Sequence, residues 1–286
     1  ILTSNNKFIL TIFEKRVQKK DLPFFIELQK FLSKKKIRCP KPIADKKNKF
    51  INRIENKNGV IMSFLEGKKI NNPDVKHCNQ IGFELAKIHH STKNFKVRRK
   101  NSLHFSSWQK ILEKCKNSPF LNKKIPKINH PSIKKYIDYF EPIQKELDFL
   151  KKKWPTNLPR GIIHADVFKD NVFFINGNLT GLIDFYFACN DFYAYELAIC
   201  INDWCFKNFK TFETKKYLSF LKGYQKKRKL TKREIKNMPI LLRGAAVRFL
   251  LTRLHDQLYH PKNAIVKPKN PLDYYHILET HIKNTK

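Results

Sequence analysis

The chain has 286 residues, enough for one or two domains that bury most of their apolar surface without a covalent staple, which excludes a disulfide-built miniprotein. With 41% hydrophobic and 13% aromatic residues it can pack a core, so the 59 Lys+Arg against 24 Asp+Glu, a net charge of +35, do not describe a disordered polycation. The excess fits either a surface that neutralises phosphates or a compositional drift toward Lys, Asn, Ile and Phe. Short scattered runs such as Lys34-Lys35-Lys36 and Lys226-Lys227-Arg228 favour drift, with salt-dependent, non-specific polyanion binding as its consequence.

Ile1-Leu2-Thr3 and Phe8–Phe13 flank Ser4-Asn5-Asn6-Lys7 and read as an antiparallel hairpin. Ile1 itself reads as the end of a strand already under way. Asp21 is placed to cap a helix with Pro23 in its first turn, running until Cys39-Pro40-Lys41-Pro42. A second strand is predicted over Val60–Leu65, meeting Glu66-Gly67, and Ile81, Leu85 and Ile88 then recur at helical spacing before His89-His90. Lys116 to Pro131 reads as a surface connection, and a helix ends near Trp154-Pro155. Short strands occupy Gly161 to Phe187, followed by apolar helices over Tyr193–Phe206 and Ile235–Leu258.

Cys39, Cys78, Cys115, Cys189, Cys200 and Cys205 lie far apart without zinc spacing, as expected of reduced, buried thiols in a cytoplasmic protein. No apolar run approaches the roughly 20 residues of a membrane helix, so no membrane partner is expected.

Chemistry concentrates in His164-Ala165-Asp166-Val167-Phe168-Lys169-Asp170-Asn171, the strand after it, the turn Asn176-Gly177-Asn178, and the strand ending at Asp184. A hairpin looped on Gly177-Asn178 sets Asn171 directly opposite Asp184. One looped on Asn176-Gly177 pairs Asn171 with Leu182, with Asp184 just beyond. Either register brings the two side chains to the open end of the hairpin, about 5 to 7 Å apart at Cβ. An amide oxygen and a carboxylate together suit a hard divalent cation such as Mg²⁺. Asp166, on the loop entering the hairpin, is placed to accept a proton or orient a hydroxyl.

The pattern H-x-D-x-x-x-x-N followed by Ile183-Asp184 resembles the catalytic and metal-binding segments of the aminoglycoside phosphotransferase/choline kinase superfamily, kin of the protein kinases. Gly181-Leu-Ile-Asp-Phe-Tyr-Phe, Leu197-Ala-Ile-Cys-Ile-Asn-Asp-Trp, Asp21-Leu-Pro-Phe-Phe and Arg243-Gly-Ala-Ala-Val-Arg resemble its homoserine kinase branch, over essentially the whole chain. The resemblance implies an α+β, protein-kinase-like two-lobe fold. Residues 1–65 would form a small antiparallel-sheet nucleotide-binding lobe, truncated at its N-terminus and lacking the phosphate-covering loop. Residues 66–286 would form a larger, mainly helical lobe with the catalytic hairpin embedded in it.

It further implies ATP and Mg²⁺ as cofactors and homoserine as the acceptor in threonine biosynthesis, with Asp166 as base and Asn171 and Asp184 as metal ligands. His164, Asp191 and Glu196 would be structural, and the backbone of Met62 to Gly67, with Met62 and Phe64, would bind adenine. The strand position where relatives carry a phosphate-contacting Lys holds Thr11 here. Lys15, on the same strand face, is the substitute candidate, with Glu27 as its ion-pair partner. Tyr186 and Asp203 are candidate contacts for the homoserine amine. Arg248 is a candidate partner for its carboxylate, or else the partner of Glu196 or Asp203 inside the protein. Two rivals stand beside this reading: a kinase for an aminoglycoside, choline or a similar hydroxyl acceptor, and a non-catalytic basic binding module.

Overall fold

A computed structural model of the chain describes residues 1–3, 6–13, 17–121, 136–260 and 267–285. In chain order its main elements are β1 (Phe8–Phe13), α1 (Leu22–Lys34), β2 (Pro42–Ile43), β3 (Asn52–Ile54), β4 (Lys57–Ser63), α2 (Val75–Ser91), α3 (Phe105–Lys116), α4 (Phe140–Lys153), β5 (Arg160–Ile163), β6 (Val172–Ile175), β7 (Asn178–Leu182), β8 (Cys189–Phe192), α5 (Tyr193–Trp204), β9 (Phe206–Lys207), β10 (Thr211–Phe212), α6 (Thr214–Gln225), α7 (Lys232–Tyr259) and α8 (Leu272–Lys283). The chain divides into two compact units. One comprises residues 1–101, 159–205 and 214–231, the other residues 102–158, 206–213 and 232–286.

In the first unit β4 is the centre of an antiparallel sheet, pairing β1, β2 and β3. The predicted strand over Val60–Leu65 begins earlier, at Lys57, and ends at Ser63, because β3 and β4 are joined by the two-residue loop Glu55-Asn56. Both loop residues have positive φ (44° and 64°), as a type I′ hairpin turn needs. Val60 and Met62 point into the core while Ile61 faces out, the period-two alternation of a half-buried strand. The Leu2–Lys7 bridge fits the predicted first hairpin, two of whose turn residues, Ser4 and Asn5, lie outside the described residues.

Asp21 precedes α1 as expected but makes no side-chain cap. Its carboxylate instead accepts from Arg99 Nε at 2.7 Å, an ion pair with both side chains largely covered. A reciprocal cap forms at α2: Asp74 Oδ1 accepts from His77 N–H, and His77 Nδ1 accepts from Asp74 N–H. Helices α2 and α6 cross closely enough that a Cβ on Gly82 would sit 2.1 Å from the Phe220 carbonyl, and one on Gly223 would sit 2.0 Å from the Asn79 carbonyl. Glycine at both positions lets the backbones meet, which seats Tyr224 of α6 against His89 of α2, both fully buried.

The second unit packs α3, α4, α7 and α8. Phe105 stacks on Trp154 with a centroid separation of 5.4 Å, and Trp108 meets Trp154 edge-on at 5.1 Å. Glu146 and Arg243 form a buried two-bond ion pair through Oε1–Nε and Oε2–Nη2. His281 of α8 is buried against the edges of Phe206 and Phe212. Burial, reinforced by the positive charge of Arg243, lowers its pKa to about 4. The unfolded imidazole titrates near 6.5, so the folded state is favoured in full above that pH and loses this contribution as pH falls toward 4. The loss is about 3 kcal/mol. Urea unfolding of the wild type and His281→Phe between pH 7 and 4 should show a shallower acid-side loss in the variant; parallel curves would refute the assignment.

All six cysteines are free and buried, as the sequence predicts, and burial raises the Cys39 and Cys115 thiols to about 12. Among the described residues no helix is long and apolar enough to cross a membrane.

Candidate active site

Buried Ile162 and Ile163 fix β5 against β8 and deliver the chain to His164. The His164 Nδ1 is buried with no hydrogen-bond partner among the described residues, so the ring carries its proton on Nε2, which donates to the Ile183 carbonyl at 2.9 Å. The loop entering the hairpin is thereby tied to the residue before Asp184. Ala165 follows with φ of 65°, a left-handed conformation that costs a residue with a Cβ on the order of 1 kcal/mol or more.

Helix α5 holds that conformation in place. Glu196 Oε1 accepts from Ala165 N–H at 2.7 Å, Trp204 Nε1 donates to the Val167 carbonyl at 2.8 Å, and Asp203 Oδ2 accepts from Lys169 N–H at 2.9 Å. Backbone groups at residues 165, 167 and 169 are thus pinned by side chains of one helix. Asp166, between the first two, is left partly exposed.

The following hairpin turns on Asn176-Gly177, whose φ values of 48° and 71° make a type I′ turn, with Ile175 opposite Asn178. This is the second of the two predicted registers at the turn. It does not persist: Phe174 faces Leu179 but Phe173 faces Gly181, so Thr180 forms a bulge. Asn171 consequently lies opposite Ile183, whose N–H donates to the Asn171 carbonyl at 3.0 Å, and Asp184 follows immediately. The bulge corrects both predicted pairings of Asn171 by one residue and keeps the two side chains at the same open end. Thr180 Oγ1 donates to the Glu66 carbonyl, and Lys68 pairs with Phe174, so the hairpin is bonded to the segment after β4.

Asn171 Nδ2 donates to the Asp166 carbonyl at 2.8 Å and to Asp166 Oδ2 at 3.0 Å, an amide orientation set by these two acceptors. Its Oδ1 has no hydrogen bond to described residues. The Asp184 side chain, on a residue at φ 63° and ψ 59°, likewise makes no hydrogen bond or ion pair with them. Two oxygen donors without partners among the described residues fit a hard divalent cation that completes its shell with water and substrate phosphate. Among the described residues no group of three or more His, Cys, Asp and Glu could hold a metal by itself.

The remaining predicted site residues fall in several places. Tyr186, two residues past Asp184, packs edge-on to Phe13 and Phe25 and hydrogen-bonds Thr11; burial pushes its phenol to about 12. Asp191 accepts from Phe192 N–H and from Asn101 Nδ2, bracing the start of α5. Glu27 is half exposed and pairs with Lys30 at 2.8 Å, while Lys15 lies outside the described residues. Met62 is buried, with Phe64 more exposed and its ring under Lys7 Nζ. The backbone of Leu65, between Phe64 and Glu66, makes no hydrogen bond to described residues and leaves a donor and an acceptor open there. Arg248 lies on α7 in the second unit, its guanidinium 4.1 Å from the Phe249 ring centroid.

Sequence reasoning did not single out His89, whose Nε2 sits 2.6 Å from Glu196 Oε2, or the loop-holding bonds of Asp203 and Trp204. The adjacent pair His89-His90 at the end of an apolar helical stripe was a usable signal, since one of the two had to face inward.

Residues 1–226 match the model of the phosphotransferase enzyme family. The homoserine kinase of Bartonella tribocorum is 43% identical over 96% of this chain and 82% of its own length, and that of Parvibaculum lavamentivorans is 42% identical over 98% and 83%. Among solved structures, an amicoumacin kinase in complex with AMP-PNP, Ca²⁺ and its ligand superposes with a TM-score of 0.70 at 15% identity, covering 98% of this chain and 81% of that one. A microcompartment-associated aminopropanol kinase gives 0.67 at 13%, covering 98% and 84%. At such identities the two structures bear on fold alone, the α+β protein-kinase-like fold expected from the catalytic-loop motif.

Proposed function

The chain belongs to the phosphotransferase enzyme family, and we infer from this that it carries the activity of the homoserine kinases it resembles. It transfers the γ-phosphoryl group of ATP to the hydroxyl of L-homoserine, giving O-phosphohomoserine for threonine biosynthesis. The acceptor rests on about 40% identity to homoserine kinases across nearly the whole chain. The chemistry rests on one observation, the convergence of Asp166, Asn171 and Asp184 at the open end of one hairpin.

In this reading Asn171 Oδ1 and the Asp184 carboxylate hold Mg²⁺, which neutralises charge on the transferring phosphoryl group when bound. Asp166 accepts the proton of the attacking hydroxyl. Asn171 Nδ2 fixes one oxygen of Asp166, so the same side chain that offers an oxygen to the cation aims the base. The segment Met62–Gly67 holds adenine through backbone groups, of which those of Leu65 are open. Residues 1–65 act as the nucleotide lobe, with Lys15 the phosphate contact. Glu27 joins it only by giving up Lys30. Tyr186, hydrogen-bonded to Thr11, and Asp203, whose Oδ2 accepts from Lys169 N–H, are in this reading the contacts for the homoserine amine. The reading includes a cytoplasmic location and weak, salt-dependent attraction of polyanions by the net charge of +35.

An acceptor screen coupled to ADP release tests the substrate. Homoserine should raise ATP turnover well above the acceptor-free rate, and choline, ethanolamine and kanamycin should not. Turnover of one of those three in preference to homoserine would overturn the reading.

A further inference from the structure

We propose that His89 is a positioning residue of the phosphoryl transfer, acting on Asp166 through Glu196 and the backbone of Ala165. This deepens the functional reading above and rests on Asp166 being its base. Four side chains form a single file in the first unit. Arg228 Nη1 donates to Tyr224 Oη at 3.1 Å, Tyr224 Oη lies 2.8 Å from His89 Nδ1, His89 Nε2 lies 2.6 Å from Glu196 Oε2, and Glu196 Oε1 accepts from Ala165 N–H at 2.7 Å. The side chains of His89 and Glu196 have no exposure at all. A carboxylate so far from water needs a donor on each oxygen, and Ala165 N–H supplies only one.

In the neutral ring the donor count places the protons. Glu196 takes a hydrogen on both oxygens, so His89 carries its proton on Nε2. Its Nδ1 is then an acceptor for the Tyr224 hydroxyl, whose oxygen in turn accepts from Arg228. Every donor points toward Glu196, and each link orders the next. The far end of the file holds Ala165 in its left-handed conformation, one residue before Asp166. Removing His89 leaves Glu196 Oε2 without that donor, and the carboxylate rotates or recruits water. The Ala165 peptide is released, and the Asp166 side chain is displaced without touching nucleotide or acceptor sites. A misplacement of about 1 Å in a catalytic group costs on the order of 10²-fold in rate.

The test compares kcat, both KM values and melting temperature for His89→Leu, which fills the space without a donor, and His89→Gln, whose amide restores a donor near Nε2, with Asp166→Asn in parallel. His89→Leu should lose about tenfold to a hundredfold in kcat with both KM values within about threefold, while His89→Gln keeps most of the activity. A folded His89→Leu enzyme with normal kcat, or equal impairment of the Leu and Gln variants, overturns the proposal while leaving Asp166 as base. Retained activity in Asp166→Asn overturns both. If His89→Leu does not fold, Tyr224→Phe decides: a lowered kcat at unchanged KM supports the file, and a normal kcat refutes it.

Discussion

Asp166→Asn is expected to lower kcat on the order of 10²- to 10⁴-fold, the usual worth of a positioned general base, while ATP affinity stays close to wild type. Asn fills the same volume and keeps an oxygen for the Asn171 amide, so the bond that now runs from Asn171 Nδ2 to Asp166 Oδ2 at 3.0 Å can survive. The Asp166 carbonyl still accepts from Phe168 N–H and from Asn171 Nδ2, which preserves the turn. What disappears is basicity alone. Steady-state kinetics together with ATP titration by calorimetry separate the two effects. Loss of ATP binding in parallel with kcat would mean that Asp166 shapes the nucleotide site instead, and undiminished turnover would remove it from the chemistry.

The three central residues were readable because their spacing is local: one loop and one hairpin bring them together in any register that keeps the turn near Gly177. The bulge at Thr180 was not readable, because what stabilises it lies elsewhere in the chain. Gln80 on α2 donates to the Gly177 carbonyl and accepts from Leu179 N–H, Arg38 Nη1 donates to the Leu179 carbonyl, and Thr180 bonds Glu66. The same holds for the loop-holding role of Asp203, whose Oδ2 accepts from a backbone N–H 34 positions earlier in the chain.

Strand β8 has only four residues and pairs with β5 across a long loop, too little for a periodic signal. Helices α3, α6 and α8 went unread although their buried residues recur at helical spacing, Trp108, Leu112 and Cys115 in α3 and Tyr274, Ile277, Leu278 and His281 in α8. The predicted elements, β1, β4, β5, β6, β7, α1, α2, α4, α5 and α7, each carry a local signal: an apolar cluster, apolar residues at helical spacing, or a tight turn at one end.

Asp184→Asn should be as damaging as loss of the base, but by a different route. The residue sits at φ 63° and ψ 59°, where Asn is among the best tolerated residues, so the substitution leaves the backbone unstrained. Asp184 also makes no bond to described residues that the change could break, and melting temperature should move little. The carboxylate charge is what the cation site loses. Removing one group that stabilises transition-state charge costs on the order of 10²- to 10³-fold, and a direct metal ligand is expected at or beyond the upper end. The discriminating measurement is ATP affinity with and without Mg²⁺. Wild type should bind ATP more tightly with the cation present, whereas Asp184→Asn should show little difference, with kcat partly restored at high Mg²⁺. A variant that keeps the full Mg²⁺ enhancement would place the cation on other residues, and would leave the open carboxylate at the mouth of the hairpin without an assigned role.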